Sequence, residues 1–413
     1  MNTRSKPLAR AAQRGLTLVE LLVALVIGLI VVLAVTSVVT IGEAHKRSTT
    51  STNDMGQSGS YAVYAIDRLL RSAGSGFAQT GKRGIFGCRL SAARKIGATA
   101  TTILPRTASA FPAPFDTLLG GAGAAAAGNL RVAPFLIAKG ATAGASDTLV
   151  VMGGNAAAGD VPRRIRSGFP GNNDLRLDNT IGLANGDIGL VSIDNGTFDS
   201  DCLIEQVNVT DATAFAAAGN EVLPMGGRYF TSTGATTSLA TLAAGGTALF
   251  TPLGNVGANN LQFQLIGVNA NRTLVAYDLL RAAGTGSDEG TDASAMQALA
   301  DGVVALYAVY GVDTNSDGAV DAWIDPAATG YAIGTLMLAP DTMRHIVAAR
   351  VALVMRGSLY EKEPVTAASL TIFGDLAAAS RRTLSIAASD RNFRYRVIDT
   401  TIPLRNMLLL PVP

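Results

Sequence analysis

Residues Asp313-Thr314-Asn315-Ser316-Asp317-Gly318-Ala319-Val320-Asp321 carry oxygen side chains at the first, third and fifth places of a short polar run. Side chains at alternate places converge when such a run curls, a glycine at the sixth place permits the sharp turn, and the seventh residue can offer its carbonyl. With Asp321 at the ninth place, this is the opening of an EF-hand-type calcium loop. The expected cofactor is Ca2+, held by Asp313, Asn315, Asp317, the Ala319 carbonyl and Asp321. The usual bidentate glutamate of the twelfth place is missing, since Ile324 stands there with Asp325 one residue on. The bland reading of the same residues is an Asx-rich hairpin turn between the strand at Val303 and Trp323.

Other chemistry is sparse. The chain has two histidines, His45 and His345, and it contains no G-x-S-x-G elbow, no C-x-x-C and no H-E-x-x-H pattern. Gly76–Arg83 reads G-F-A-Q-T-G-K-R, close to a phosphate-binding loop, but Arg83 replaces the Ser or Thr that would hold magnesium, and the run follows a helix end instead of a strand. No enzyme is expected. Arg391-Asn392-Phe393-Arg394-Tyr395-Arg396 interleaves cations with aromatics, a pattern that can serve single-stranded nucleic acid and more often marks the wet face of a terminal strand. Nucleic acid is not expected as a partner.

The elements that must position these residues begin with a membrane-length segment. Met1 to Gly15 carries Arg4, Lys6, Arg10 and Arg14 and no acid, a bias that holds such a leader on the cytoplasmic side of a bilayer. Leu21 to Val35 is then uninterrupted apolar, and at ~1.5 Å per residue a helix over Leu16 to Ile41 can cross a ~30 Å hydrocarbon core. A secretory signal peptide fits poorly: the run is too long, no A-x-A-like site follows it, and a carboxylate sits inside it. An ordinary signal anchor explains the span but not Glu20, because a carboxylate inside a membrane helix costs on the order of 2–3 kcal/mol unless it is paired.

The run G-L-T-L-V-E-L-L-V-A-L from Gly15 resembles the processing site of type IV prepilins and type II secretion pseudopilins. That resemblance implies a membrane aspartyl prepilin peptidase cutting after Gly15, methylation of the new amino terminus at Leu16, and assembly of the mature helix into a filament. Glu20 becomes the fifth-position glutamate. Leu16 replaces the usual phenylalanine, and Ser37 stands where many major pilins have a helix-kinking proline, so a break would fall at Gly28 or Gly42 instead. The chemistry agrees: glycine lets a protease approach the backbone, and the new amine lies about one helical turn from Glu20. Pairing of that amine with Glu20 of the same or a neighbouring subunit would set the register of packed helices.

Composition is compatible with export. Removing the four leader cations turns a formal +2 into −2, far from a nucleic-acid-binding balance. The mean hydropathy of +0.30 owes much to alanine and the anchor, and no second run reaches membrane length. The only two cysteines, Cys88 and Cys202, are expected to form a bridge in an oxidising compartment, with two free buried thiols as the alternative.

Glu43 to Asn53 is Ser/Thr-rich and a weak helix by propensity. Helical spacing returns at Ala62, Ile66, Leu69 and Ala73, with Gly74 as a cap, so the segment reads as the second half of one long helix. Strands are expected at Thr148–Met152, Ile188–Ile193, Leu203–Val209, Leu261–Val268, Leu274–Leu280, Val303–Tyr310, Ile346–Met355 and Phe393–Ile398, with Asn185-Gly186 as a hairpin turn. The tracts Leu118–Gly128 and Gly153–Gly159 read as surface loops. The resulting fold class is α+β, with a leader at 1–15, a helix at 16–74 whose part 16–41 spans the membrane, and a mostly antiparallel β-rich extracytoplasmic domain at 75–413.

The helix end Arg71-Ser72-Ala73-Gly74, then Ala308-Val309-Tyr310-Gly311-Val312-Asp313 with its Asp/Asn-rich turn, His345–Arg356, and Tyr395-Arg396-Val397-Ile398 leading to Pro403-Leu404-Arg405-Asn406, resemble PilW-type minor pilins. This resemblance implies a non-enzymatic subunit that helps initiate or cap a type IV pilus, held in the inner membrane before assembly and on the cell surface afterwards. Its partners would be other minor and major pilins. A large type II secretion pseudopilin, or a pilus-tip module binding surfaces or DNA, are the alternatives.

Overall fold

The structure is a computed structural model that describes residues 15, 17–77, 85–96, 99–106, 111–117, 130–142, 144–155, 161–167, 173–193, 200–209, 221–234, 237–258, 260–280 and 295–409. The chain forms two units, Met1–Asn53 and Asp54–Pro413.

The first helix, α1, runs over Leu18–Ser72. It continues through the Ser/Thr-rich stretch, where Thr49 Oγ1 donates to the His45 carbonyl and Thr52 Oγ1 to the Ser48 carbonyl. No break falls at Gly28 or Gly42, the places where one would have come, since both stand within continuous helix. Over the part that belongs to the second unit, Met55, Ala62, Ile66, Leu70 and Ala73 are buried. Leu70, not the expected Leu69, completes the stripe, and Leu69 packs half-buried beside it. Gly74, at φ +76°, ends the helix and donates its N–H to the Met152 carbonyl.

A six-stranded sheet has the order β2-β1-β8-β7-β10-β5, built from β1 Arg89–Ile96, β2 Thr99–Leu104, β5 Arg163–Arg164, β7 Asp187–Ile193, β8 Asp201–Gln206 and β10 Ala248–Asn255. A five-stranded sheet, order β13-β12-β11-β4-β3, joins β3 Phe135–Ala138, β4 Thr148–Gly153, β11 Gln262–Val268, β12 Thr273–Asp278 and β13 Met296–Asp301. The third sheet has the order β15-β14-β16-β19, from β14 Val303–Val312, β15 Ala322–Ile324, β16 Ile346–Tyr360 and β19 Phe393–Pro403. Ribbons β6 Asp174–Arg176 with β9 Val222–Pro224, and β17 Ser369–Ile372 with β18 Arg382–Ser385, cover the outer faces. Among the described strand pairs only β1 with β8 is parallel.

The near-continuous apolar sequence of β14 and β16 follows from burial on both faces. Leu306, Ala308 and Tyr310 join the main core with the α1 stripe, while Ala305, Tyr307 and Val309 face a second cluster closed by Ile372, Phe373 and Leu384. All eight expected strands are present. Two expectations need correction. Asn185-Gly186 is not a hairpin, because β6 pairs with β9; instead, the Gly186 N–H donates to the Val207 carbonyl and its own carbonyl accepts from Val256. Gly153 and Gly154 are buried, not surface loop, because the α1 terminus and the backbone at Ser75 and Pro252 press close to them. The tracts 118–129 and 156–160, and most of the phosphate-loop-like run, lie outside the described residues.

Candidate functional site

At the amino end, Gly15 is exposed, and a Cβ built on it would meet nothing within 4 Å. Leu16 lies outside the described residues, as does the leader at 1–14. Thr17 and Glu20 form a reciprocal cap at the start of α1: the Glu20 N–H donates to Thr17 Oγ1 at 3.3 Å, and the Thr17 N–H and hydroxyl approach Glu20 Oε2 at 3.4 Å. These contacts are long, so the carboxylate is oriented at the helix start yet left exposed. The sequence T-L-V-E carries the capping-box spacing outright, a signal the membrane reading of Glu20 overlooks. Beyond it, the large apolar side chains from Leu18 to Ile41 are exposed, and the helix is long and apolar enough to cross a bilayer.

The polar run at 313–321 joins β14 to β15. Asp313 is buried, and its two carboxylate oxygens accept from the N–H groups of Ser316 and Gly318 at 2.6 and 2.7 Å. Asn315 Oδ1 accepts from Asp317 N, and Asp317 Oδ1 from Ala319 N, so successive Asx turns curl the chain. Asp321 Oδ2 accepts both the N–H and the hydroxyl of Thr314 at 2.7 Å, and the Thr314 hydroxyl is the main reason this carboxyl titrates below its ordinary value. His345 closes the turn from below, with Nδ1 2.9 Å from the Asp313 carbonyl. The oxygens are hard donors of the type calcium takes, but they are engaged with the loop itself. Among the described residues no three acidic, His or Cys side chains converge on a metal-sized point.

Asp325, one place past the missing twelfth ligand, is directed elsewhere. It accepts from Lys139 Nζ at 3.0 and 3.2 Å and from the Ala327 N–H, and it pairs with Arg382 Nη1. Arg382 Nη2 is 3.6 Å from Asp147, a carboxylate that also accepts from the Gly140 and Ala308 N–H groups at 3.0 Å. Burial pushes Asp147 up to about 6, against the pull of Arg382. This buried charge cluster was not read from sequence. Its one signal is an acid, Asp147, directly ahead of the apolar strand Thr148–Met152.

Cys88 and Cys202 are joined, with Cα atoms 5.8 Å apart. The bond ties the residue before β1 to β8, where Leu90 and Cys202 are register partners.

Two family models match the sequence: Type IV Pilus-assembly protein W over residues 266–406, and the prokaryotic N-terminal methylation motif over residues 10–36. The amino end and the C-terminal third of the chain are thus similar to type IV pilins of the PilW type. No curated protein and no solved structure matches it. The PilW match begins inside β11 and ends with the Asn406 segment, whose Nδ2 donates to the Ala73 carbonyl at the end of α1. Much of the cation–aromatic run at 391–396 is engaged within the fold. Arg394 pairs with Glu361 at 3.0 Å, Asn392 donates to the Glu361 and Lys362 carbonyls, Arg391 donates to the Ile386 carbonyl, and Arg356 lies 4.1 Å over the Phe393 ring. These similarities suggest interaction with other pilus components, and with the long apolar N-terminal helix they suggest a membrane-anchored pilin.

Proposed function

We propose that this protein is a non-enzymatic minor pilin that helps initiate or cap a type IV pilus, with Leu16 as the processed and methylated first residue and its β-rich unit outside the inner membrane. The observation that carries this reading is the combination, in one chain, of a methylation-type amino end leading straight into a membrane-length helix with a PilW-type C-terminal sheet. A bond between Cys88 and Cys202 agrees with an oxidising compartment. We further propose calcium at Asp313, Asn315, Asp317, Asp321 and the Ala319 carbonyl, where the cation would take Asp321 over from Thr314.

The test is mass spectrometry of sheared surface pili from wild type and from a deletion strain. The protein is expected in trace amount in wild-type pili, and few or no pili are expected in its absence. Presence only in a short periplasmic complex would favour a type II secretion pseudopilin, and normal pili that no longer attach or take up DNA would favour a tip binding module. Gly15→Val should retain the leader, read as intact mass. Glu20→Gln should insert in the membrane as the parent does yet be depleted from pili; wild-type recovery of that variant would remove Glu20 from assembly.

A further inference from the structure

The apolar run of α1 ends at Ile41 and Gly42, and the chain then sets His45, Lys46 and Arg47 side by side ahead of a neutral Ser/Thr-rich stretch. All three are exposed, and their side chains make no hydrogen bond or ion pair among the described residues. Glu43 stands one turn ahead of Arg47, a spacing that suits an ion pair, yet the two are unpaired among the described residues. Successive helix residues turn by about 100°, so three in a row point three ways round the axis and form a collar. Leu21 to Ile41 rises ~31 Å at ~1.5 Å per residue, the thickness of a hydrocarbon core, which puts the backbone of Lys46 and Arg47 ~7–9 Å past its edge. The headgroup layer is ~5–7 Å deep there, and long cationic side chains fold back into it.

We propose that Lys46 and Arg47, with the His45 ring as a further hydrogen-bonding group, bind the phosphate of an anionic phospholipid headgroup in the leaflet opposite the leader. The proposal rests on the membrane-anchored reading of α1. Three features of the sequence favour a lipid over water alone. Leu16 to Ser60 contains no Trp, Tyr or Phe, so the aromatic belt that commonly fixes a membrane helix at its interface is missing and anchoring falls to charge. Cations gather on the cytoplasmic side, where the leader carries Arg4, Lys6, Arg10 and Arg14; Lys46 and Arg47 stand at the other end and oppose the orientation the leader sets. Solvation does not call for them either, since Ser48 to Asn53 is exposed or half-exposed with no charge at all. The ligand chemistry is a phosphodiester monoanion: the Arg47 fork can take two of its oxygens, and Lys46 adds a point charge. A zwitterionic headgroup brings its own cation to the collar, so charge selects the anionic lipid.

The experiment equilibrates the full-length protein, in detergent, with phosphatidylglycerol and phosphatidylcholine in equal amounts, and native mass spectrometry counts each lipid left bound. Phosphatidylglycerol should be retained in preference. Lys46→Gln and Arg47→Gln should each lower that preference about fivefold, the change expected for one cation at an anionic surface, while Lys46→Arg should keep it. The leader is the same in every variant, so the difference belongs to the collar. Vesicles of the same two lipids, extracted with alkali, should retain the parent and all variants. A preference unchanged in the double variant Lys46→Gln with Arg47→Gln, the result expected if these cations meet an acidic neighbouring subunit, would overturn the proposal. Displacement of the lipid by millimolar inorganic phosphate would name a free anion as the ligand and overturn it as well. Release of the parent by alkali would overturn the membrane reading and the proposal together.

Discussion

Glu205 is fully buried in β8 with Oε2 accepting from the Thr231 N–H at 3.2 Å and Oε1 unpartnered. Loss of water pushes its carboxyl up to about 8, against a value of 4.5 when exposed. The native state therefore keeps a proton that the unfolded chain releases, and stability must fall as pH rises from 4.5 to about 8. Glu205→Gln keeps the shape and the acceptor, so in urea titrations at stepped pH it should flatten that decline by up to ~1.4 kcal/mol per pH unit. A parallel curve for the variant would mean that Glu205 is already ionised in the fold. The polar run at 313–321 permits a second residue-scale test. Asp317→Ala should remove the rise in melting temperature that ~10 mM calcium gives the parent, since binding without a twelfth-place acid is expected at ~10⁻⁴–10⁻³ M. A parent indifferent to calcium reduces the run to a solvated turn. These two residues differ in legibility. The Asp/Asn spacing is visible in sequence because its chemistry is local, whereas Glu205, Asp147 and Arg382 acquire theirs only when distant strands strip away their water.

Periodicity made the long elements legible: α1, β14 and β16 bury regular faces, and their sequences repeat at 3.6 or run apolar throughout. Some of the strands missed have local composition that argues against them. β1 carries Arg94 and Lys95, and β10 contains Pro252 at a shift in its register with β7. Close approach between elements was equally hidden. Gly189 lies in mid-strand because a Cβ there would sit 2.2 Å from the Phe250 ring. Gly59 lies within α1 because its missing side chain admits Ile398 and Met355, whose Cδ1 and Cγ would be 2.4 and 3.2 Å from a Cβ. Helix propensity alone favours replacing Gly59 by ~1 kcal/mol. Gly59→Ala should therefore come out near neutral, as Ile398 can swing its terminal methyl, while Gly59→Val should destabilise by ~1–3 kcal/mol through overpacking. Chemical unfolding of both variants reads this directly, and a Val variant as stable as the parent would show that the helix does not seat against β16 and β19 at this point.

Cooperation across the whole β-rich unit depends on a long-range closure. β1 and β8 pair in parallel although their sequences are far apart, and each also pairs with an antiparallel neighbour, β2 and β7. Loop entropy opposes such pairing until it is made. The Cys88–Cys202 bond spans a sequence separation of 114 at this seam, and both residues belong to the main core. A loop of that length corresponds to ~4–5 kcal/mol in the chain-entropy model, and measured losses on removing native bridges run ~2–5 kcal/mol. The double variant Cys88→Ala with Cys202→Ala keeps small apolar side chains at buried positions, so most of its loss reflects the open loop. Urea unfolding of the parent with reductant should move to the midpoint of this variant, and without reductant should lie above it. Non-reducing peptide mapping of protein recovered from the oxidising side of the membrane should return the two cysteine peptides linked. A parent midpoint indifferent to reductant, with both thiols open to alkylation, would leave the seam between β1 and β8 held by hydrogen bonds and packing alone.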